Sequence, residues 1–412
     1  MEPRRRMSTG NLLSLSLYWF GLNFHWGALL AIVIPAEVLR FVPDAEKGRA
    51  LSLVFAGGAA IAMIVMPIAG ALSDCSRAAM GRRRPFMLVG GILNVAALAW
   101  MGASPTLTAF VAAYWLVQFS NNLGGSAYSG LIPDLVPDDQ RGVASGWMGL
   151  MTMLGTIAAA VAAGILMERG YRAQVYWLIA AVLAVTLAIT VWRVREARPQ
   201  PAGPFDMGRF LRGFWVDPRR HPDFAWLFVS RLFVLMGFYT VFNFLQYFLK
   251  DFMGIARFKE ATGTVSAVVV IGALASAFLA GWLSDRVGRR GIVCASAVLM
   301  AAPCLLFLTA PSFPLLLGFS VVFGLGYGAF ISVDWALATD VLPSRETAAA
   351  KDMGIWGIAT TLPQVLAPLL GGPLLDKFNL REPNLGYVVL LVAGAVYLLI
   401  GSGLIWRIRG AR

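Results

Sequence analysis

Charge is what this 412-residue chain has least of: Asp, Glu, Lys and Arg make up 14% of it, against about 25% in a soluble domain. Hydrophobic residues make up 58% and the mean hydropathy is +0.71. A globule of this length must still cover its surface with polar groups, so the deficit excludes water as the main solvent and points to lipid. Histidine and cysteine are also scarce, with two and three residues. His25 and His221 with Cys75, Cys294 and Cys304 show no metal-ligand spacing and no disulfide framework. No Ser/His/Asp set or His/Glu cluster is available for catalysis. No G-x-x-x-x-G-K-[ST] loop occurs, which excludes an ATP-driven pump on one chain. The expectation is therefore no enzyme, no metal and no cofactor. The net charge of +12 comes from Arg in short loops between apolar runs, so topology explains it better than nucleic acid does.

Apolar runs are what the chain has in abundance. A spanning helix needs about 20 apolar residues, and twelve runs qualify: 12–39, 50–73, 85–103, 107–132, 143–167, 173–192, 224–249, 262–283, 291–310, 313–341, 351–373 and 385–406. The first is too long for the core of a signal peptide and reads as a span. The long connection at 193–223 is rich in Arg and Pro and divides six spans from six, giving bundles at 1–192 and 224–412. The N-terminus, even-numbered loops and C-terminus carry 23 Lys and Arg against 10 in the odd-numbered loops, with Arg231 inside a span. That bias places both termini in the cytoplasm of a multi-pass cell-membrane protein.

The halves repeat. Gly70-Ala71-Leu72-Ser73-Asp74 ends the second span and Gly281-Trp282-Leu283-Ser284-Asp285 ends the eighth. Gly81-Arg82-Arg83-Arg84 follows the first, Gly288-Arg289-Arg290 the second. Asp134-Leu135-Val136-Pro137 after span four matches Asp340-Val341-Leu342-Pro343 after span ten. Such a repeat implies a pseudo-two-fold axis along the membrane normal.

This loop, G-x-x-x-D followed by G-R-R at both matched boundaries, resembles the signature of the major facilitator superfamily over essentially the whole chain. Ser73-Asp74 with Gly81-Arg82-Arg83-Arg84-Pro85-Phe86, the run Asn121-Asn122, Gly125, Asp134-Leu135 and Arg141, and Phe24-His25-Trp26-Gly27-Ala28-Leu29 are similar to the sucrose–proton symporters and the wider glycoside–cation symporter group. One position departs: plant sucrose symporters place an Arg five residues before the span-four Asp, where this chain has Ser129. The resemblance implies an all-α membrane protein of twelve helices in two pseudo-symmetric six-helix bundles, working by alternating access. It also implies that spans one, four, seven and ten line the central cavity. Its loop residues imply a cytoplasmic gate of Asp74, Arg82, Arg83, Arg141, Asp285 and Arg289, with Asp74 bonding Arg141 and facing the start of span eleven near Lys351.

Ionisable groups inside a bilayer cost several kcal/mol, about 3 on insertion scales, unless paired or hydrated. Away from the span ends there are three: His25 in span one, Arg231 in span seven and Asp334 in span ten. At about 1.5 Å rise per residue, Arg231 and Asp334 each lie about 10 Å from the cytoplasmic ends of their spans. Opposite charges at equal depth are natural partners. The pair is read either as a structural bridge or as a proton site in which Asp334 exchanges the proton. His25, about 20 Å along its span, is read either as a proton relay, its ordinary pKa being about 6.5, or as a hydrogen-bonded histidine that contacts substrate. Amides and aromatics on the same spans suit a polyol: with His25, the candidate substrate contacts are Gln118, Asn121, Asn122, Tyr128, Tyr239, Asn243 and Trp335, aromatics in spans otherwise serving packing. Glu37 and Glu168, near outer span ends, read as solvated.

The leading expectation is a monomeric, proton-coupled symporter of a sugar or glycoside, its partners being that small molecule, protons and lipid. A sodium-coupled sugar symporter is the nearest alternative. The relatives of that type carry acids within span two, and Leu51 to Leu72 has none. A proton-driven exporter is another; exporters of this kind carry Gly-Pro in span five, and Val143 to Met167 has no Pro. A non-transporting sensor or scaffold is the reading from a different class, and sensors usually add a soluble output domain. The charge bias yields a direct test of orientation: Arg5→Cys and Gly410→Cys should resist a membrane-impermeant thiol reagent in intact cells, and robust labelling would reverse the topology.

Overall fold

The computed structural model describes residues 6–194, 196, 218–340 and 349–408. Its long helices, in chain order, are α1 (Thr9–Phe41), α2 (Asp44–Asp74), α3 (Arg84–Ala103), α4 (Leu107–Ser129), α5 (Arg141–Glu168), α6 (Arg172–Arg193), α7 (Pro222–Phe252), α8 (Phe258–Val287), α9 (Arg289–Thr309), α10 (Phe313–Asp340), α11 (Ala349–Asn379) and α12 (Leu385–Arg407). Among the described residues there is no strand. Eleven of these helices are long and apolar enough to cross a membrane. The exception is α4, which has the length, 23 residues. Its Gln118, Asn121 and Asn122 dilute the apolar run, and the first two are buried within the protein. Most of the connection expected at 193–223 lies outside the described residues.

Local chemistry sets the helix starts. Ser8 accepts a hydrogen bond from the Asn11 backbone N–H at 3.3 Å, and Thr106 accepts from Ala109 at 3.2 Å; both are side-chain N-caps of the usual kind. Two helices are capped from far along the chain. The Glu196 carboxylate accepts from the backbone N–H groups of Arg82, Arg83 and Arg84 at 2.8–3.1 Å, where α3 begins. Asp376 on α11 accepts from Gly48 and Arg49 at 2.9 and 2.8 Å in the first turns of α2. A carboxylate at a helix N-terminus satisfies otherwise orphaned donors and the positive end of the dipole.

The chain packs as two compact units, Met1–Phe41 with Gly57–Phe205, and Val42–Ala56 with Asp206–Arg412. The opening of α2 thus groups with the second unit, where Asp376 caps it. Within the first unit α1 packs on α5 and α6, and α3 on α4 and α6; within the second α7 packs on α11 and α12, and α9 on α10 and α12. The same pairs recur six helices later, as the sequence repeat requires. Large apolar side chains, among them Ile64, Ile92, Phe278 and Leu279, lie on the outside of the helices; such a surface suits hydrocarbon and not water.

The repeated loops share backbone as well as sequence. Gly81 and Gly288 have φ of 107° and 100°, a region that favours glycine because it has no Cβ. Ser73 and Ser284 each donate to the carbonyl three residues earlier, Gly70 and Gly281, at 2.7 Å. The glycine conformation generates a prediction. Gly288→Ala should cost about 1–3 kcal/mol through backbone strain and lower the melting temperature, read by intrinsic fluorescence in detergent. Gly146→Ala, in α5 with open space where its Cβ would stand, should not.

Candidate functional site

The second unit contains a buried ionic centre. Arg231 on α7 is 4% exposed and Asp334 on α10 is 0% exposed. Arg231 Nη1 donates to Asp334 Oδ2, so the partners expected from equal depth are joined. The other faces of the guanidinium turn to α11: Nε and Nη2 both donate to Thr360 Oγ1, at 3.1 and 2.9 Å. Asp334 Oδ1 is buried and has no hydrogen-bond partner, which is unusual, since buried polar atoms are nearly always satisfied. Tyr239 and Tyr327 face the same guanidinium, and Tyr239 also meets Gln364. Asn243 closes the regular part of α7, where the helix breaks, with its N–H on the Tyr239 carbonyl at 3.1 Å. Trp335, one residue after Asp334, is 55% exposed.

The first unit contains a neutral polar centre. His25 is wholly buried, its Nδ1 3.4 Å from Asn121 Nδ2 on α4, and its Nε2 has no partner. Asn94 on α3 interacts with His25. Its Nδ2 donates to the Val117 carbonyl and to Ser120 Oγ at 3.2 and 3.1 Å, while its Oδ1 has no partner. One to two turns along α4, Gln118 donates to Tyr114 Oη at 2.6 Å and Asn122 donates to Gln118 Oε1 at 3.1 Å. Tyr128 belongs elsewhere. It is fully buried in the core of this unit, stacked on Trp19 with 5.9 Å between ring centroids and edge-on to Tyr18. Its hydroxyl donates to the Leu15 carbonyl at 2.7 Å. Ring and hydroxyl are both committed to packing.

The loop after α2 forms a charge cluster around Arg83. Arg83 donates to Ser73 Oγ at 2.9 Å, pairs with Asp74 at 2.5 Å and reaches Asp134 at 3.0 Å. Arg82 reaches both oxygens of Asp134, from Nε at 3.1 Å and from Nη2. Donating to the Asp134 carboxylate holds the Arg82 pKa above its ordinary value. Asp134, not singled out among the expected gate residues, is thus the carboxylate both arginines share; its recurrence in the sequence repeat was the available signal. Asp74 pairs with Arg83, and Arg141 stands at the start of α5. Arg289 donates to the Ala336 carbonyl on α10 at 2.6 Å. The side chains of Asp285, Asp340 and Lys351 lie outside the described residues.

Other charges were not anticipated. Glu37, expected in solvent, is 2% exposed, because α1 continues past it and Arg172 on α6 and Arg40 reach it. In the second unit Lys47 pairs with Asp251, which also accepts from the Tyr387 hydroxyl. Lys250 donates to both oxygens of Asp44 at 2.9 and 3.0 Å. Each lies at a helix end, where sequence gives no sign of whether a charge is paired or solvated. Among the described residues no three His, Cys, Asp or Glu side chains converge as a metal ion would need.

Comparison with known proteins identifies the class. A family model described as MFS/sugar transport protein matches residues 47–401, and the chain belongs to that family. The sucrose transport protein SUC4 of Arabidopsis thaliana is 24% identical over 90% of this chain and 85% of its own length. The multi-drug resistance efflux pump PmrA of Streptococcus pneumoniae serotype 4 is 23% identical over 89% of this chain and 90% of its own. Among solved structures, that of a D-xylose–proton symporter matches 97% of this chain and 98% of its own with a TM-score of 0.74 at 15% identity, a likeness of fold. The chain is a multi-pass membrane transporter of the major facilitator fold.

The arginine cluster generates a prediction about cycling. Asp74→Asn should lower the transport rate severalfold while binding of substrate, read by protection of the purified protein against thermal unfolding, stays near wild type. An unchanged rate would remove this loop from the conformational cycle.

Proposed function

We propose that the protein is a symporter that moves a sugar or glycoside together with a proton, by alternating access, as a monomer in the cell membrane with both termini cytoplasmic. In this reading residues 1–192 and 224–412 are the two bundles and 193–223 is the cytoplasmic link. The observation that carries the proposal is the buried Arg231–Asp334 pair, with one carboxylate oxygen unpartnered. Breaking such a pair by removing one member leaves an uncompensated charge at a cost of about 3–5 kcal/mol. Protonating Asp334 achieves the same separation reversibly. A sugar hydroxyl on Arg231 takes over part of its hydrogen bonding, loosens the pair and favours the neutral acid. Proton and substrate then load together, which is the requirement for coupling.

The substrate chemistry follows from the side chains at hand. Gln118, Asn121 and Asn122 offer amides, His25 a ring nitrogen, and Tyr239 and Asn243 further polar groups for hydroxyls. Trp335 offers an exposed aromatic face on which a pyranose ring can stack. Tyr128 contributes indirectly, by fixing α4 to α1. His25 serves as a substrate contact or as a second proton site. Asp74, Arg82, Arg83, Arg141, Asp285 and Arg289 form the cytoplasmic gate.

Purified protein in liposomes, offered radiolabelled sucrose and maltose with and without an outside-acid pH gradient, tests the proposal. Wild type should accumulate at least one of them against its gradient. Asp334→Asn, a mimic of the protonated acid, should abolish that accumulation yet retain sugar exchange at equal concentrations. Accumulation by Asp334→Asn under the same pH gradient would move the proton site to His25.

A further inference from the structure

Asp334 has an arginine beside it and yet is held by one nitrogen only. A guanidinium and a carboxylate are shaped to meet as a fork, with two parallel hydrogen bonds. Here the fork does not close, and a third helix holds the other edge of the guanidinium. Thr360, on α11, receives Nε at 3.1 Å and Nη2 at 2.9 Å on a single hydroxyl oxygen. Those two bonds hold the guanidinium plane so that Nη1 alone reaches Asp334 Oδ2. Asp334 Oδ1 is left buried and without a partner.

We infer that Thr360 is a positioning residue for proton exchange at Asp334: by engaging two guanidinium nitrogens of Arg231 it keeps the salt bridge single and leaves Oδ1 as the open acceptor for the proton. The inference rests on the proton-coupled reading above. A forked carboxylate would have both oxygens engaged by the guanidinium, so a proton arriving at either one would compete with a charge-assisted hydrogen bond. A singly held carboxylate takes the proton on its vacant oxygen while Arg231 remains anchored to Thr360. On protonation the arginine keeps two hydrogen bonds, so its charge is never left wholly unpartnered in the protein interior.

The surroundings do not offer a competing explanation. From α7, Arg231 is the charged group acting on Asp334, and Tyr239 beside it faces Arg231. From α10 itself, Tyr327 faces the same guanidinium. Among the described residues α8 and α9 bring no titratable side chain into interaction with Asp334; Arg289 from α9 is bonded to the Ala336 carbonyl. From α11, Gln364 donates to the Thr360 carbonyl at 3.4 Å, one turn away, and so supports the residue that holds the arginine. Branching at Cβ restricts threonine in a helix to two χ1 rotamers.

The test reads the proton directly and needs no transported substrate. The carboxylic C=O stretch of protonated Asp334 is followed by infrared difference spectroscopy as pH is varied, with full-length protein in lipid nanodiscs. The band is assigned by its loss in Asp334→Asn. Thr360→Val, nearly equal in shape, removes the hydroxyl. It should let the freed nitrogens close on Oδ1, stabilise the carboxylate and lower the midpoint by about one pH unit, a tenfold loss of proton affinity. Thr360→Ser should keep the wild-type midpoint. Thr360→Ala removes the same hydroxyl without the added methyl and carries the test should the Val variant misfold. A midpoint that is unchanged or raised in the hydroxyl-free variants overturns the role of Thr360 while leaving Asp334 as the proton site. Absence of any titrating band that Asp334→Asn removes overturns Asp334 as the proton site, on which this inference rests.

Discussion

Hydrocarbon supplies no hydrogen-bond partners, so every polar group carried into it must find one within the protein. That constraint accounts for the helical architecture, since a helix satisfies its own backbone. It also accounts for how buried polar side chains are used: Tyr128 spends its hydroxyl on the Leu15 carbonyl, Ser230 on Gly401 at 2.8 Å, and Asn94 donates to α4. Against that background the unsatisfied atoms stand apart. Among them are Asp334 Oδ1, Thr240 Oγ1 and Ser266 Oγ in the second unit, and His25 Nε2 and Asn94 Oδ1 in the first. Unmet hydrogen-bonding capacity at membrane depth is costly, and the proposed function uses it at Asp334 and at His25.

Helix ends obey the same rule by other means. Their first N–H groups have no partner in the helix. At α3 and α2 these are met by carboxylates far along the chain, Glu196 and Asp376. One chemistry therefore does two jobs: it completes a helix terminus and ties a distant segment to it. The arginine cluster beside α3 is built on this footing, because Glu196 fixes the backbone of Arg82, Arg83 and Arg84 while their side chains reach Asp134, Asp74 and the Val191 carbonyl.

Legibility from sequence followed dimensionality. Composition, span positions and the internal repeat depend only on order along the chain, and the same helix pairings recur in each unit. The Arg231–Asp334 pair was legible too, because both residues are rare in spans and their depth follows from counting. Thr360 and Asn94 were not. Neutral polar residues carry small penalties in spans, so they raise no flag. Tyr128 shows the opposite failure: an aromatic on a cavity-lining span looked like a substrate contact, and packing on Trp19 and Tyr18 claimed it. Glu37 reads as solvated until α6 brings Arg172 to it.

By itself the sequence determined the solvent, the number and order of apolar runs, the repeated loops with their two obligatory glycines, and the depth of the few intramembrane charges. All of these are properties of a string read at 1.5 Å per residue. Tertiary structure decided which atoms of those charges are bonded and which are left over. A hydrogen bond depends on the azimuth at which each helix presents a side chain and on which neighbour packs there, and those quantities exist only after α7, α10 and α11 have come together.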